Sequence, residues 1–300
     1  MFQHILVPLD GSRLAAAALP VAATLASKLG SSLTLVHVIE KDPPQQIHHE
    51  RHLTTVPEAA AYLERVARES LPGQVKVQTH VHTAAVTDVA RSIVEHTHEF
   101  APDLIVMCTH GRPGPRELLF GSIAQDVVAA GATPVLLVQP EAPSPGENLL
   151  CSTILVPLDT DPEHSRALPI AAELARACGA SLHLMTVVPT TATLSGEQVA
   201  TARMLPGAMR AALDLDQAAA ETVLLGHARS LEPTSLTVTT EVARGDPATE
   251  IIRAAERTQA GMIVMAVHGT HGTRAFWAGS VPPKVSSRTS VPVMLVPIHN

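Results

Sequence analysis

Three hundred residues exceed the usual size of one domain and suit two units of about 150. Apolar residues make up 46% but aromatics only 2%, so the core is built from Val, Leu, Ile and Ala; that mixture suits parallel strands buried on both faces beneath Ala-rich helices. Twenty-eight acidic against 21 basic residues give a net charge of −7, and with no Lys/Arg run the phosphate-backbone footprint of a DNA- or RNA-binding protein is excluded.

The N-terminal stretch MFQHILVPLDG has no basic segment followed by a long apolar one. No run of roughly 18 apolar residues occurs, so neither a signal peptide nor a membrane span is expected. Strands are expected at 4–9, 32–39, 75–82, 103–109 and 134–138. Helices with apolar residues at three- and four-residue spacing are expected at 14–29, 86–100 and 122–130. The segment 40–58, KDPPQQIHHERHLTTVPEA, reads as a long loop leading into a helix, and long loops in compact domains often lie over a ligand site. QPEAPSPGEN at 139–148 is rich in Pro, Glu, Ser and Gly, has no periodicity, and reads as a linker. The expected division is a domain over 1–140, a linker over 141–150 and a second domain over 151–300. Strands of the second half are expected at 153–158, 181–188, 235–242, 262–267 and 292–296, with 189–207 as irregular as 40–58. Cys108, Cys151 and Cys178 are few, odd in number and in no CxxC spacing, which fits a reducing cytoplasm.

The second half repeats the first. HILVPLDGS at 4–12 recurs as TILVPLDTD at 153–161, LIVMCTHG at 104–111 as MIVMAVHG at 262–269, and PVLLV at 134–138 as PVMLV at 292–296. The later motifs are spaced further apart than the first, which requires an insertion between 39 and 75 or their counterparts. A duplication of alternating strands and helices points to an α/β fold, two tandem doubly wound open parallel sheets with helices on both faces.

In such sheets, ligands bind beyond the carboxyl ends of the strands, where the strand order changes direction. Two features of each half fall there. The first is the Asp closing strand one, Asp10 or Asp159. The second is the loop after strand four, where Gly111 and Gly121, or Gly269 and Gly279, are separated by nine residues and followed by Ser122 or Ser280. Glycine lets backbone N–H groups converge on an anion, and the helix opened by Gly-Ser offers unpaired N–H groups and a positive dipole end to phosphate. Gly-Ser also reads as a simple helix cap, and a strand-end Asp as a cap for the next helix; capping and binding are compatible.

These motifs together, PLDGS, the THG loop and GSIAQDVVAAGATPVLLV, resemble the universal stress protein family over nearly the whole chain. The resemblance implies an adenine nucleotide alpha hydrolase-like fold with strand order 3-2-1-4-5, and ATP or another adenine nucleotide as ligand, with Mg²⁺ as its potential companion. By the same resemblance the first half binds through Pro8, Asp10, Val38, Met107, Cys108, Gly111, Gly121, Ser122 and Ile123. The second would use Pro157, Asp159, Val187, Met265, Ala266, Gly269, Gly279, Ser280 and Val281. Cys108 and Ala266 stand where the family has the first loop glycine. In the second half Trp277 sits in the loop and Pro282-Pro283 follows, removing N–H donors that a phosphate would use. The first half is therefore expected to be the better of the two nucleotide sites. The last strands are expected to pair with each other as an intramolecular pseudo-dimer, with a further homodimer open. The implied role is a cytoplasmic stress-response sensor or switch; a slow ATPase, or a module of the same fold that binds no nucleotide, are the alternatives.

Other chemistry lacks its motif. There is no GxxxxGK[ST], GxSxG or HExxH, and no catalytic residue is assigned. The sixteen histidines invite a zinc hypothesis. His48 and His52 could share a helix face, and His80 and His82 would share a face of strand three. No compact Cys/His set accompanies them in sequence, and no metal is expected.

Overall fold

The computed structural model describes residues 2–43, 46–47, 50–109, 122–140, 152–159, 161–194, 196–231, 235–268 and 280–298. The first repeat runs β1 (His4–Pro8), α1 (Arg13–Ala16), α2 (Leu19–Leu29), β2 (Ser32–Glu40), the short paired strands β3 (Gln46–Ile47) and β4 (Glu50–Arg51), α3 (Val56–Ser70), β5 (Val77–Val86), α4 (Val89–Phe100), β6 (Leu104–Cys108), α5 (Ser122–Ala130) and β7 (Val135–Val138). The second runs β8 (Thr153–Pro157), a 3-10 turn (Pro162–Arg166), α6 (Ala167–Cys178), β9 (Ser181–Val188), α7 (Glu197–Met204), α8 (Pro206–Leu231), β10 (Val238–Arg244), α9 (Pro247–Arg257), β11 (Met262–His268), α10 (Val281–Arg288) and β12 (Val293–Ile298).

Two compact units contain these elements, one formed by Met1–Glu147 with Val267–Asn300, the other by Asn148–Ala266. In the first, the strands lie in the order β5-β2-β1-β6-β7-β12. All neighbours are parallel except β12, which runs antiparallel to β7 with Val293 opposite Leu137 and Leu295 opposite Val135. Leaving aside the β3–β4 hairpin, the first repeat has the expected order 3-2-1-4-5. In the second unit β8 lies between β9 and the start of β11, with β10 outside β9, again all parallel.

The core follows from the composition. Ile5, Leu6 and Val7 of β1 and Ile154, Leu155 and Val156 of β8 are fully buried, as strands covered on both faces must be. Small residues let the helices approach closely: α2 buries Ala22, Ala23 and Ala26, and α6 buries Ala171, Ala172 and Ala175. Both helices end at a glycine in the left-handed region, Gly30 at φ +68° and Gly179 at φ +70°, the usual stop for a helix returning to a strand. Among the described residues no helix is long and apolar enough to cross a membrane.

Several expectations are corrected. The helix expected over 14–29 breaks at Ala17-Ala18 into α1 and α2, because Pro20 has no N–H for the carbonyl one turn back. The helix expected from 86 starts at Val89, since Val86 still pairs with Glu40 in the sheet and Asp88 caps the helix by accepting from Arg91 N–H. Segment 40–58 is not wholly irregular, for it contains the β3–β4 hairpin. Of the pair expected to share a helix face, His48 lies outside the described residues and His52 follows β4. In 189–207, expected as loop, α7 occupies 197–204. The insertion between strands two and three is helical, with 26 residues in α8 against 15 in α3.

Candidate functional site

At the carboxyl end of β1 the chain leaves the sheet through a tight turn. Leu9 N–H still donates to Val36 of β2, at 2.8 Å. Asp10 then turns back on itself: its Oδ1 accepts from Ser12 N–H at 2.9 Å and from Ser12 Oγ–H at 2.6 Å, while Ser12 Oγ accepts from Ala15 N–H and caps α1. Gly11 between them has φ +93°, and a Cβ there would come 2.7 Å from a Leu53 methyl. Only glycine meets both demands.

Leu53 belongs to the segment around the β3–β4 hairpin, which lies over this turn. Glu50 of β4 accepts from Arg13 N–H and Nε–H, each at 2.6 Å. The backbone bond from Arg13 is the main reason the Glu50 carboxyl is held below its ordinary range. His37 of β2 places Nδ1 2.8 Å from the Leu9 carbonyl oxygen and Nε2 3.3 Å from that of Leu53. Two buried side chains nearby are unsatisfied: the His52 ring nitrogens and the Tyr62 hydroxyl have no hydrogen-bond partner among the described residues. Burial, and secondarily the charge of Asp10, pushes the Tyr62 hydroxyl up to about 12. Unpaired buried polar atoms are uncommon, and beside a strand-end carboxylate they suit a polar ligand.

The second repeat builds its turn differently. Asp159 accepts from Asp161 N–H at 3.0 Å, and its carboxylate lies 2.7 Å from His164 Nδ1. Asp161 in turn caps the 3-10 turn through Glu163 N–H. Burial opposes the Asp159 charge, but the His164 bond and the Asp161 N–H outweigh it and hold its pKa below the ordinary carboxylate range. The bond to Asp159 raises His164.

Of the residues named from sequence, Pro8, Asp10, Val38, Met107 and Cys108 lie at the carboxyl ends of three adjacent strands, β2-β1-β6. Pro157, Asp159, Val187, Met265 and Ala266 lie at the corresponding ends of β9-β8-β11. Val38, Met107 and Cys108 are buried, and Asp159 is exposed. The Cys108 side chain points inward, its thiol directed at the Ala15 carbonyl at 3.7 Å. Burial pushes that thiol up to about 12, which keeps it protonated and unreactive. Ser122 and Ile123 open α5; Ser280 precedes α10 without a side-chain cap bond, and Val281 begins it, followed by Pro282-Pro283. Gly111, Gly121, Gly269, Gly279 and Trp277 lie outside the described residues.

Sequence reading missed one cluster. His80 and His82 do share a face of β5, and the structure adds His96 from α4: one ring nitrogen of each lies within 4.8 Å of the others. The centroid of the His96 ring lies 4.8 Å from that of His80 and 5.0 Å from that of His82. Burial, then the neighbouring His96, holds the His80 pKa below its ordinary value. The spacing HVH at 80–82 was the visible half of the signal; nothing local ties it to a helix residue fourteen positions later.

Comparison with known proteins bears on the family and the fold. The sequence model of the Universal stress protein family matches residues 1–139 and again 151–297. The universal stress protein Sll1654 of Synechocystis is 34% identical over 138 residues, 46% of this chain and 86% of that protein. The universal stress protein MJ0531 of Methanocaldococcus jannaschii is 28% identical over 144 residues, 46% of this chain and 83% of that protein. Among solved structures, a universal stress protein from Archaeoglobus fulgidus shares the fold with a TM-score of 0.68 at 18% identity, covering 99% of this chain and 97% of that one.

Proposed function

The chain belongs to the universal stress protein family as a tandem two-domain member, and on that premise we propose that it binds ATP or a related adenine nucleotide, chiefly in its first repeat. The observation that carries this reading is the convergence of Pro8, Asp10, Val38, Met107 and Cys108 on the carboxyl ends of β2-β1-β6, where the order of winding reverses about β1. Asp10 would hold the ribose hydroxyls through its carboxylate, and the backbone ends of β2 and β6 would flank the base. The phosphates would lie at the amino end of α5 (Ser122–Ala130), since a helix start offers unpaired N–H groups and a positive dipole end to an anion. The unsatisfied Tyr62 and His52 support a polar occupant beneath the hairpin. Cys108 stands in place of the family's first loop glycine, and its side chain is buried with the thiol directed at the Ala15 carbonyl.

The second repeat is the weaker binder on this reading, because Asp159 is already engaged by His164; its sequence also carries Pro282-Pro283, which have no N–H to offer a phosphate. The domains are proposed as 1–140 and 151–300 joined by 141–150. Their association through the fifth strands is supported by the pairing of β7 with β12. The protein would then act in the cytoplasm as a nucleotide-dependent sensor or switch, with Mg²⁺ as an accompanying ion where ATP is bound.

Mass analysis of small molecules released from freshly purified protein, with calorimetric titration of ATP, tests the reading. An adenine nucleotide in the released fraction and saturable binding are expected. Purified protein that carries none and gives no heat with ATP overturns it. Phosphate release during prolonged incubation separates a binding protein from a slow ATPase.

A further inference from the structure

The histidine cluster on the outer strand of the first unit plays no part in the nucleotide reading. We propose that His80, His82 and His96 form a binding site for a divalent transition-metal ion of the zinc type, with a fourth position open to solvent or a small ligand.

The strand supplies two ligands by its own period: His80 and His82, two residues apart on β5, point to the same side of the sheet. Helix α4 supplies the third. His96 is only 4% exposed, and its two ring nitrogens are in opposite situations. Nδ1 lies 2.8 Å from a carboxylate oxygen of Glu99, which can only accept, so Nδ1 carries the proton. That leaves Nε2 as a bare lone pair, buried and with no partner among the described residues. Leaving such an acceptor unpaired is unfavourable, whereas a metal ion satisfies it. A carboxylate that fixes the tautomer of a histidine and raises the basicity of its other nitrogen is the usual support behind a histidine metal ligand.

Three neutral imidazoles select zinc, cobalt, nickel or copper over magnesium and calcium, which require oxygen donors. Tetrahedral zinc with Zn–N bonds of about 2.0–2.1 Å needs its nitrogens roughly 3.3 Å apart. The ligand atoms now lie within 4.8 Å of one another, so the His80 and His82 rings must turn inward by roughly 1–2 Å. They can do so, because both are only partly buried and β5 is paired on one side alone, with β2, among the described residues. The competing account is that the rings merely stack with Phe100, whose centroid lies 4.9 Å from His80. Stacking explains the His80 ring but leaves His96 Nε2 unpaired.

The test uses the full chain, stripped with chelator and without nucleotide, titrated with Co²⁺ for its visible d–d absorption and with Zn²⁺ by calorimetry. One equivalent per chain with the bands of nitrogen-bound, four- or five-coordinate Co²⁺ is expected, and Mg²⁺ should give no signal. His80→Gln and His82→Gln, at partly exposed positions, should keep the fold by circular dichroism and each weaken Zn²⁺ at least roughly tenfold. Glu99→Gln should retain the bands but weaken Zn²⁺ by about 10- to 100-fold. Absence of the Co²⁺ bands overturns the site. So does Zn²⁺ affinity unchanged in both glutamine variants, which would assign binding to other histidines of the sixteen.

Discussion

The two repeats share their strands and differ in what covers the strand ends. Asp10 and Asp159 close the same LVPLD motif, yet Asp10 is folded into a turn that caps α1 and lies beneath a hairpin pinned by Arg13 and Glu50. Asp159 is exposed, held by His164 from a 3-10 turn. Between strands two and three, the first repeat spends its residues on the hairpin and a 15-residue α3, the second on α7 and a 26-residue α8. Duplication preserves what the sheet requires, because every buried strand position is constrained on two faces. It leaves the crossover segments free to diverge, and the polar groups that would meet a ligand are carried there. A shared fold therefore does not make the two sites equivalent.

The most severe way to test the shared part is Leu137→Pro beside its counterpart Leu295→Pro. β7 is paired with β6 on one side and β12 on the other, so removing a strand N–H at buried Leu137 should cost about 3 kcal/mol or more and cause aggregation. Thermal melting and size-exclusion chromatography would show it, and the Leu295 variant should behave alike. A Leu137 variant that melts normally would mean that the β7–β12 pairing contributes little.

The difference between the sites is sharpened by Gly121→Val against Gly279→Val. A β-branched side chain at Gly121 should weaken ATP roughly 100-fold or more in a folded protein, while the Gly279 variant stays within about threefold of the parent. Equal losses in the two variants would show that both repeats bind, and that the prolines of α10 do not disable the second.

A smaller effect is expected from Gly11→Ala. Its φ of +93° costs an alanine about 1–2 kcal/mol, and the Leu53 methyl must move as well. Adding Leu53→Ala should recover the steric part of that change and leave the backbone part, measured as non-additivity in denaturant unfolding. The second repeat has Thr160 in the matching place, so the demand for glycine belongs to the first repeat's covered turn. Full additivity would mean that Leu53 and residue 11 are not coupled.

The least effect belongs to the Asp159–His164 pair. His164 has a raised pKa, so its contribution is complete below its ordinary value of 6.5 and fades as pH rises through the raised one. Asp159 has a lowered pKa, so its contribution is complete above its ordinary 3.8 and fades as pH falls through the lowered one. The pair therefore stabilises most between about pH 4 and 6.5. Because the Asp159 side chain is 58% exposed, His164→Ala should cost only a few tenths of a kcal/mol in that window and nothing near pH 9. A stability difference that grew toward alkaline pH would contradict the assignment.

The sequence by itself determined the duplication, the strands and the turn that places Asp10. Continuous Val/Leu/Ile runs identify doubly covered strands, and PLDGS encodes its Asp-Gly-Ser turn within five residues; both signals are local. It missed the break at Ala17-Ala18 only because Pro20 was read as part of a helical period, and it read α7 as loop because EQVATARM carries little apolar periodicity. Only the tertiary structure decided that Leu53 would cover Gly11, that β12 would lie antiparallel to β7, and that His96 would meet His80 and His82. Each of these joins residues from separate elements. Their meeting depends on which side of the sheet each crossover helix takes and how far it slides along its strand, and packing of the whole chain fixes that where no short stretch of sequence can.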